Sequence, residues 1–113
     1  MSIRLTHATS LILRALATGR RHGFEVLEVS GLPSGTVYPA LRRLERAGHL
    51  ASVWEDEAAA HAEGRPRRRI YSLTATGEGL AARAGERLAD AGRFLASDPG
   101  LRAAGGGEGG GGV

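Results

Sequence analysis

One stretch near the middle of the chain, Gly31 to Leu50, reads GLPSGTVYPALRRLERAGHL and constrains the fold more than any other. Pro33 and Ser34 mark a turn, and Ser34 or Thr36 is suited to cap the helix that follows, because a short side-chain oxygen can accept from an unpaired N–H of a first turn. Val37, Leu41 and Leu44 recur at i, i+4 and i+7, so they share one helical face, with Ala40 and Ala47 beside them. The opposite face carries Thr36, Arg42, Arg43 and Arg46, with Tyr38 at its edge. Gly48 stands where a helix C-terminus favours a left-handed residue. Inside a helix a proline costs about 3 kcal/mol. A start at Thr36, which places Pro39 among N–H groups that have no intrahelical partner anyway, is therefore favoured over a start at Ser34. One face is built for burial and the other presents guanidinium groups. Ordinary surface helices share that layout, so the flanking segments must decide what it means.

Upstream, His7 to Thr18 reads as a helix capped by Thr6, with Leu5, Ile12, Leu13 and Leu16, aided by Ala8 and Ala15, forming its apolar face. Gly19 ends it. His22 to Val29 reads as a second, short helix with Phe24, Val26 and Leu27 turned inward, and Gly23 in its first turn signals a close backbone approach. Two short helices joined by the Ser30–Pro33 turn, the second bearing the cations, make a helix-turn-helix. Downstream, Leu50 to Glu57 reads as a strand, 58–66 as a loop ending in Gly64-Arg65-Pro66, and Arg67 to Leu73 as the returning strand with Ile70 and Leu73 inward. That hairpin is a wing. Ile70 and Leu73 differ by three positions, so strict alternation must fail, and a bulge near Tyr71 or Ser72 is expected. Arg67 and Arg69 share one strand face and Arg68 takes the other. One of those faces is expected to meet a partner while the other pairs with Glu55 or Glu57 across the hairpin.

Thr74 caps a last helix running to about Ser97, where Asp98-Pro99-Gly100 stops it. Ala81, Ala84, Leu88, Ala91 and Leu95 alternate steps of three and four, a short heptad seam. Gly79, Gly85 and Gly92 each weaken that helix by roughly 1 kcal/mol relative to alanine, so it needs packing to be ordered. The division expected is a winged helix-turn-helix over 1–75, a dimerisation helix over 76–98 through Ala84, Leu88, Ala91 and Leu95, and a disordered glycine-rich tail over 99–113. The fold class is mainly α with a two-stranded β-wing.

Composition narrows the chemistry. All fifteen basic residues of the 113 are arginine, and four of them fall between Arg65 and Arg69. Arginine offers bidentate bonds to phosphate and to guanine, so this clustering favours a nucleic-acid partner. There is no cysteine, which excludes disulfides and thiolate chemistry. His7, His22, His49 and His61 are scattered without metal-ligand spacing, and Gly64-Arg65-Pro66 lacks the pattern of a phosphate loop. No catalytic residue, metal site or cofactor is expected. No apolar run reaches a membrane span and the N-terminus has no signal-peptide core, so the expected compartment is the cytoplasm.

These residues resemble the PadR-like transcriptional regulators. Gly35 to Leu50 (GTVYPALRRLERAGHL) is similar to that family's recognition-helix pattern, and His22-Gly23-Phe24 to its His-Gly-aromatic opening of helix two. Trp54-Glu55, Gly64-Arg65-Pro66 and Tyr71-Ser72-Leu73-Thr74 leading into Gly77 match in the same order. The segment between His22 and Gly35 is shorter than in many members, and the C-terminal region resembles that of the compact members. The resemblance implies a winged helix-turn-helix that dimerises through its C-terminal helix and represses transcription. Some members respond to a small molecule near the dimer interface; no motif of this chain points to one. The function expected is a homodimeric repressor on a palindromic operator in double-stranded DNA. Thr36, Tyr38, Arg42 and Arg43 are the candidate recognition-helix contacts, with Arg42 and Arg43 reading guanine edges. Arg65, Arg67 and Arg68 are the candidate wing contacts, and Arg65, at the tip, is the one free of the ladder. The alternative from another class is a protein-interaction module that turns its basic face to an acidic partner.

Overall fold

In the computed structural model, which describes residues 3–97, helix α1 (His7–Ala17) starts at Thr6, whose hydroxyl accepts from the N–H of Thr9 at 3.1 Å. Its face of Ile12, Leu13, Ala15 and Leu16 is buried, as its periodicity requires. Helix α2 (Gly23–Ser30) is anchored by Glu25, whose carboxylate reaches back to the N–H groups of Arg21 at 2.7 Å and His22 at 3.4 Å. Val26 takes its inward position and Leu27 is half-buried. Phe24, expected inward, is 60% exposed, because two positions along a helix rotate a side chain about 200° away from Val26.

Helix α3 (Ser34–Arg46) begins at Ser34, two residues before the favoured start, and neither Ser34 nor Thr36 caps it. Pro33 is the cap instead: its backbone is extended, and its carbonyl accepts from Thr36 at 2.9 Å and Val37 at 3.1 Å. Pro39 therefore stands inside the helix. The carbonyl left without a partner belongs to Gly35, which is exposed, so solvent can satisfy it. Val37, Ala40, Leu41 and Leu44 are buried, and Gly48, at φ +86°, turns the chain out of the helix.

Strands β1 (Leu50–Trp54) and β2 (Arg69–Leu73) are antiparallel, paired from Leu50 opposite Leu73 to Trp54 opposite Arg69. That register is continuous, and the expected bulge is not there. Alternation puts Leu50, Leu73, Ser52, Tyr71, Trp54 and Arg69 on one face. Tyr71 is consequently the buried residue of β2 and Ile70 points the other way, half-buried. The connection is not a plain loop either. It contains helix α4 (Glu57–Ala62), capped by Asp56, whose carboxylate accepts from Ala59 at 3.0 Å. An acidic cap followed by an alanine run supplies the signal for it.

Helix α5 (Ala75–Ser97) is capped by Thr74, which accepts from the N–H of Gly77 at 3.2 Å while its own hydroxyl donates to the Gly48 carbonyl at 2.7 Å. Thr74 thereby ties the end of α3 to the start of α5. The junction is tight enough that a Cβ on Gly77 would overlap the His49 carbonyl. Leu80, Ala81 and Ala84 then enter the same core as Ile12, Leu41 and Leu44. Ala84 is 0% exposed within the single chain, so it belongs to the core against α1 and has no surface to offer a second copy. The expected helix stop at Asp98-Pro99-Gly100, the glycine-rich tail and the side chain of Leu95 lie outside the described residues.

Candidate nucleic-acid interface

With 3.6 residues per turn, the line on α3 opposite Val37, Ala40, Leu41 and Leu44 runs through Gly35, Pro39, Arg42 and Arg46. Arg42 and Arg46 are both exposed. Arg46 is thus as central to the outward face as Arg42, a point that the i, i+4 spacing already carried. On the hairpin side, Arg42 and Arg46 line an open groove of about 440 Å³ whose far wall is Arg69 and Tyr71. Glu45 lies between the walls and fixes their distance. It accepts from Ser52 Oγ at 2.6 Å, Ser52 in turn accepts from Arg69 Nε at 2.9 Å, and Arg69 Nη2 lies 3.8 Å from Glu45. Burial raises the pKa of the Tyr71 phenol, with the Glu45 charge acting in the same direction, so Tyr71 stands as a neutral hydroxyl.

Arg43 does not share this groove with Arg42. It lines a second one, of about 330 Å³, on the other flank of α3, together with Arg4, Thr6 and Thr9 from the N-terminal segment. Thr36 is half-buried on that same flank. Tyr38 is 38% exposed and leans towards α2, where Gly23 leaves room for its ring: a Cβ at Gly23 would overlap Tyr38 Cε1. The close approach expected at Gly23 is therefore to a residue of the recognition helix. Arg4 escaped notice in the sequence because nothing local links it to α3.

The wing arginines differ sharply from those on α3. Arg65 is held by both oxygens of Glu55, at 2.5 and 2.7 Å, and by Glu63 at 3.1 Å. The bonds from Arg65, with the backbone N–H of Arg68 adding to them, hold the Glu55 carboxyl at a pKa of about 2. Arg65 was expected to reach out from the tip; instead its guanidinium closes the base of the α4 excursion. Arg68 Nη1 lies 2.6 Å from His22 Nε2 and so docks the hairpin on α2. Burial lowers the His22 pKa, and Arg68 lowers it further against the opposing pull of Glu25. Arg67 is exposed, its guanidinium 5.3 Å from the centre of the Trp54 ring, and Arg69 lies at 5.1 Å from the same ring. Of the acidic run, Glu55 pairs, Asp56 caps and Glu57 opens α4. Among the described residues no cluster of histidine and carboxylate side chains could hold a metal ion, and no helix is long and apolar enough to cross a membrane.

The arrangement is a cationic helix face beside a β-hairpin, the layout of winged helices that dock on duplex DNA. Among known families, the model of the transcriptional regulator PadR-like family matches residues 12–83. A PadR family transcription regulator from Clostridium difficile is similar in structure, with a TM-score of 0.65 and 22% identity over 80% of this chain and 95% of that one. The PcaV transcriptional regulator from Streptomyces coelicolor, solved with its natural ligand, gives a TM-score of 0.66 and 28% identity over 88% and 67% of the two chains. A transcriptional regulator from Clostridium thermocellum gives 0.61 and 21% over 82% and 90%. No curated protein sequence matches significantly. Carrying the family's pattern over most of its folded length on a winged helix, the chain belongs to the PadR-like family of transcriptional regulators.

Proposed function

We propose that this regulator is a sequence-specific repressor that binds palindromic duplex DNA as a homodimer, in the cytoplasm. The observation that carries the reading is the outward line of α3, where Arg42 and Arg46 face an open groove and, among the described residues, have no acidic partner. Arg42 and Arg46 are the candidates for guanine edges, Arg43 and Arg67 for phosphates, and Thr36 and Tyr38 for the groove margins. The DNA-binding part spans 1–75 and the assembly helix 76–98. Of the seam on that helix, Ala84 is already used by the core, which leaves half-buried Leu88 and exposed Ala91 as the start of the surface for a second copy, with Leu95 continuing the spacing. Two-fold assembly gives half-sites about one helical turn apart, and occupancy of such a site blocks transcription.

Selection of bound fragments from genomic DNA, followed by binding assays across salt, tests the reading. A palindromic motif should be enriched, and affinity should fall steeply between about 50 and 200 mM salt. Light scattering should give a dimer that Leu88→Asp splits. No enriched sequence together with salt-independent binding would overturn the repressor reading and favour an acidic protein partner.

A further inference from the structure

Trp54 is the only tryptophan of the chain, and it stands 54% exposed on the hairpin rather than in the core. Its place is set by the register. The hairpin face that begins buried at Leu50 and Leu73 passes the α3 groove at Ser52 and Tyr71 and then leaves the body at Trp54 and Arg69. Trp54 is therefore on the α3 side of the wing, beyond the groove lined by Arg42 and Arg46. The guanidinium groups of Arg67 and Arg69 both lie over its ring. Arg69 is also tied to Ser52 and Glu45, so the ring is braced from α3 through Glu45, Ser52 and Arg69. Arg67 has no acidic partner among the described residues; the indole is what it rests on.

Resting on the DNA-binding reading, we infer that Trp54 is the positioning residue of the wing. It stacks Arg67 in a fixed place beside α3, so that this cation meets the DNA backbone without first losing its rotamer freedom, and its own exposed ring edge is covered when DNA binds. An aromatic ring attracts a guanidinium through its quadrupole, and a long side chain held in its bound conformation loses less entropy on binding. Because the contact is to phosphate, it needs no particular sequence, and a short random duplex suffices as the probe.

The test is a double-mutant cycle on the full chain, read by fluorescence anisotropy of a labelled random duplex at about 50 mM salt. Trp54→Ala should weaken binding about five- to tenfold, and Trp54→Phe, which keeps a ring, should recover most of that loss. Arg67→Ala should cost a similar factor in the native background but less than about twofold once Trp54 is alanine. Trp54→Leu, run in parallel, keeps apolar bulk without a ring and should behave like the alanine variant. In the unmodified protein, adding unlabelled duplex should change the tryptophan emission. An equal cost of Arg67→Ala in both backgrounds would overturn the positioning role while leaving DNA binding intact. A protein that binds no duplex at all would remove the DNA-binding reading, and this inference with it.

Discussion

The two arginine clusters of this protein, one on α3 and one on the hairpin, are alike in the sequence and opposite in the structure. On α3, Arg42 and Arg46 project from the face opposite the core and Arg43 from its flank, and among the described residues no carboxylate pairs with them. On the hairpin, Arg65 is bound to Glu55 and Glu63, Arg68 contacts His22, and Arg69 contacts Ser52 and Glu45. Only Arg67 among them has no side-chain hydrogen bond or ion pair within the described residues, and it leans on Trp54. The core-facing side of α3 is apolar, so its cations have nowhere to go but outward. The hairpin, by contrast, folds back on itself and brings its own acidic residues within reach. A cluster of cations thus reports a nucleic-acid surface only after its internal partners are counted, and on the wing most of them hold the wing in shape.

The largest effect should come from α3. Arg42→Ala or Arg46→Ala is expected to cost about 1–3 kcal/mol on the selected operator and less on random DNA. Equal losses on both duplexes would show that these residues touch only phosphate, and the contrast with the wing would then be one of availability rather than of role.

The comparison sharpens within the wing itself. Arg67→Ala should reduce the salt slope of binding by about one, in line with one fewer phosphate contact. Arg65→Ala should leave that slope nearly unchanged and instead lower the melting temperature by a few degrees, because it strands Glu55 beside the backbone of Arg68. The pairing has a pH signature as well. The Glu55 pKa is depressed in the folded state, so its contribution is complete above the ordinary carboxyl range and is lost as pH falls towards about 2. Should Arg65→Ala change the slope and spare the melting temperature, the division between holding and binding arginines fails.

Local chemistry made much of this fold legible. Thr6, Gly48 and Thr74 were readable as helix boundaries because a cap depends on residues three or four positions away, and the buried stripe of α3 was readable from its period. What could not be read depended on distant partners. Whether Ile70 or Tyr71 points inward is decided by which residue of β1 stands opposite, and the α4 excursion hides that count. Pro39 misled because the start of α3 is fixed by the Pro33 carbonyl rather than by a side-chain cap. Phe24 and Val26 compete for one inward position on a short helix, and only the packing against α1 and α3 chooses. For the interface, the three arginines of α3 were plain from the helical period. Their division between two flanks, the groove shared with Arg69, and the neighbour that Arg43 finds in Arg4 were not, since each joins segments far apart in sequence.

The smallest expected effect lies at the joint between wing and body, where His22 receives Arg68. A guanidinium can only donate, so His22 Nε2 must accept, which requires the neutral ring with its proton on Nδ1. That nitrogen is buried without a hydrogen-bond partner, and Nε2 has Arg68 at hydrogen-bond distance and the Glu25 carboxylate farther off, at 3.6 Å. Protonation would turn the 2.6 Å contact into a meeting of two cations, with Arg65 close enough to add to the repulsion and Glu25 and Glu55 opposing it. Burial and the two arginines win, and the folded-state pKa lies below the ordinary histidine value. Between the two values the unfolded chain holds more protons than the folded one, so stability rises with pH. The contribution is complete above the ordinary histidine value and is lost as pH falls through the lower, folded one. Melting curves at about pH 7.5 and 5.5 should therefore show a drop for the native protein that is smaller for His22→Gln, whose amide oxygen can still accept from Arg68 without titrating. Every other group is common to both proteins and cancels in the difference. Identical pH slopes would mean that the wing is docked by the Tyr71 N–H bond to the Arg21 carbonyl, at 2.7 Å, and by the Glu45 bridge, with His22 a bystander. A reduced slope would place a titrating contact of the wing at the start of α2, away from the face that α3 offers to DNA.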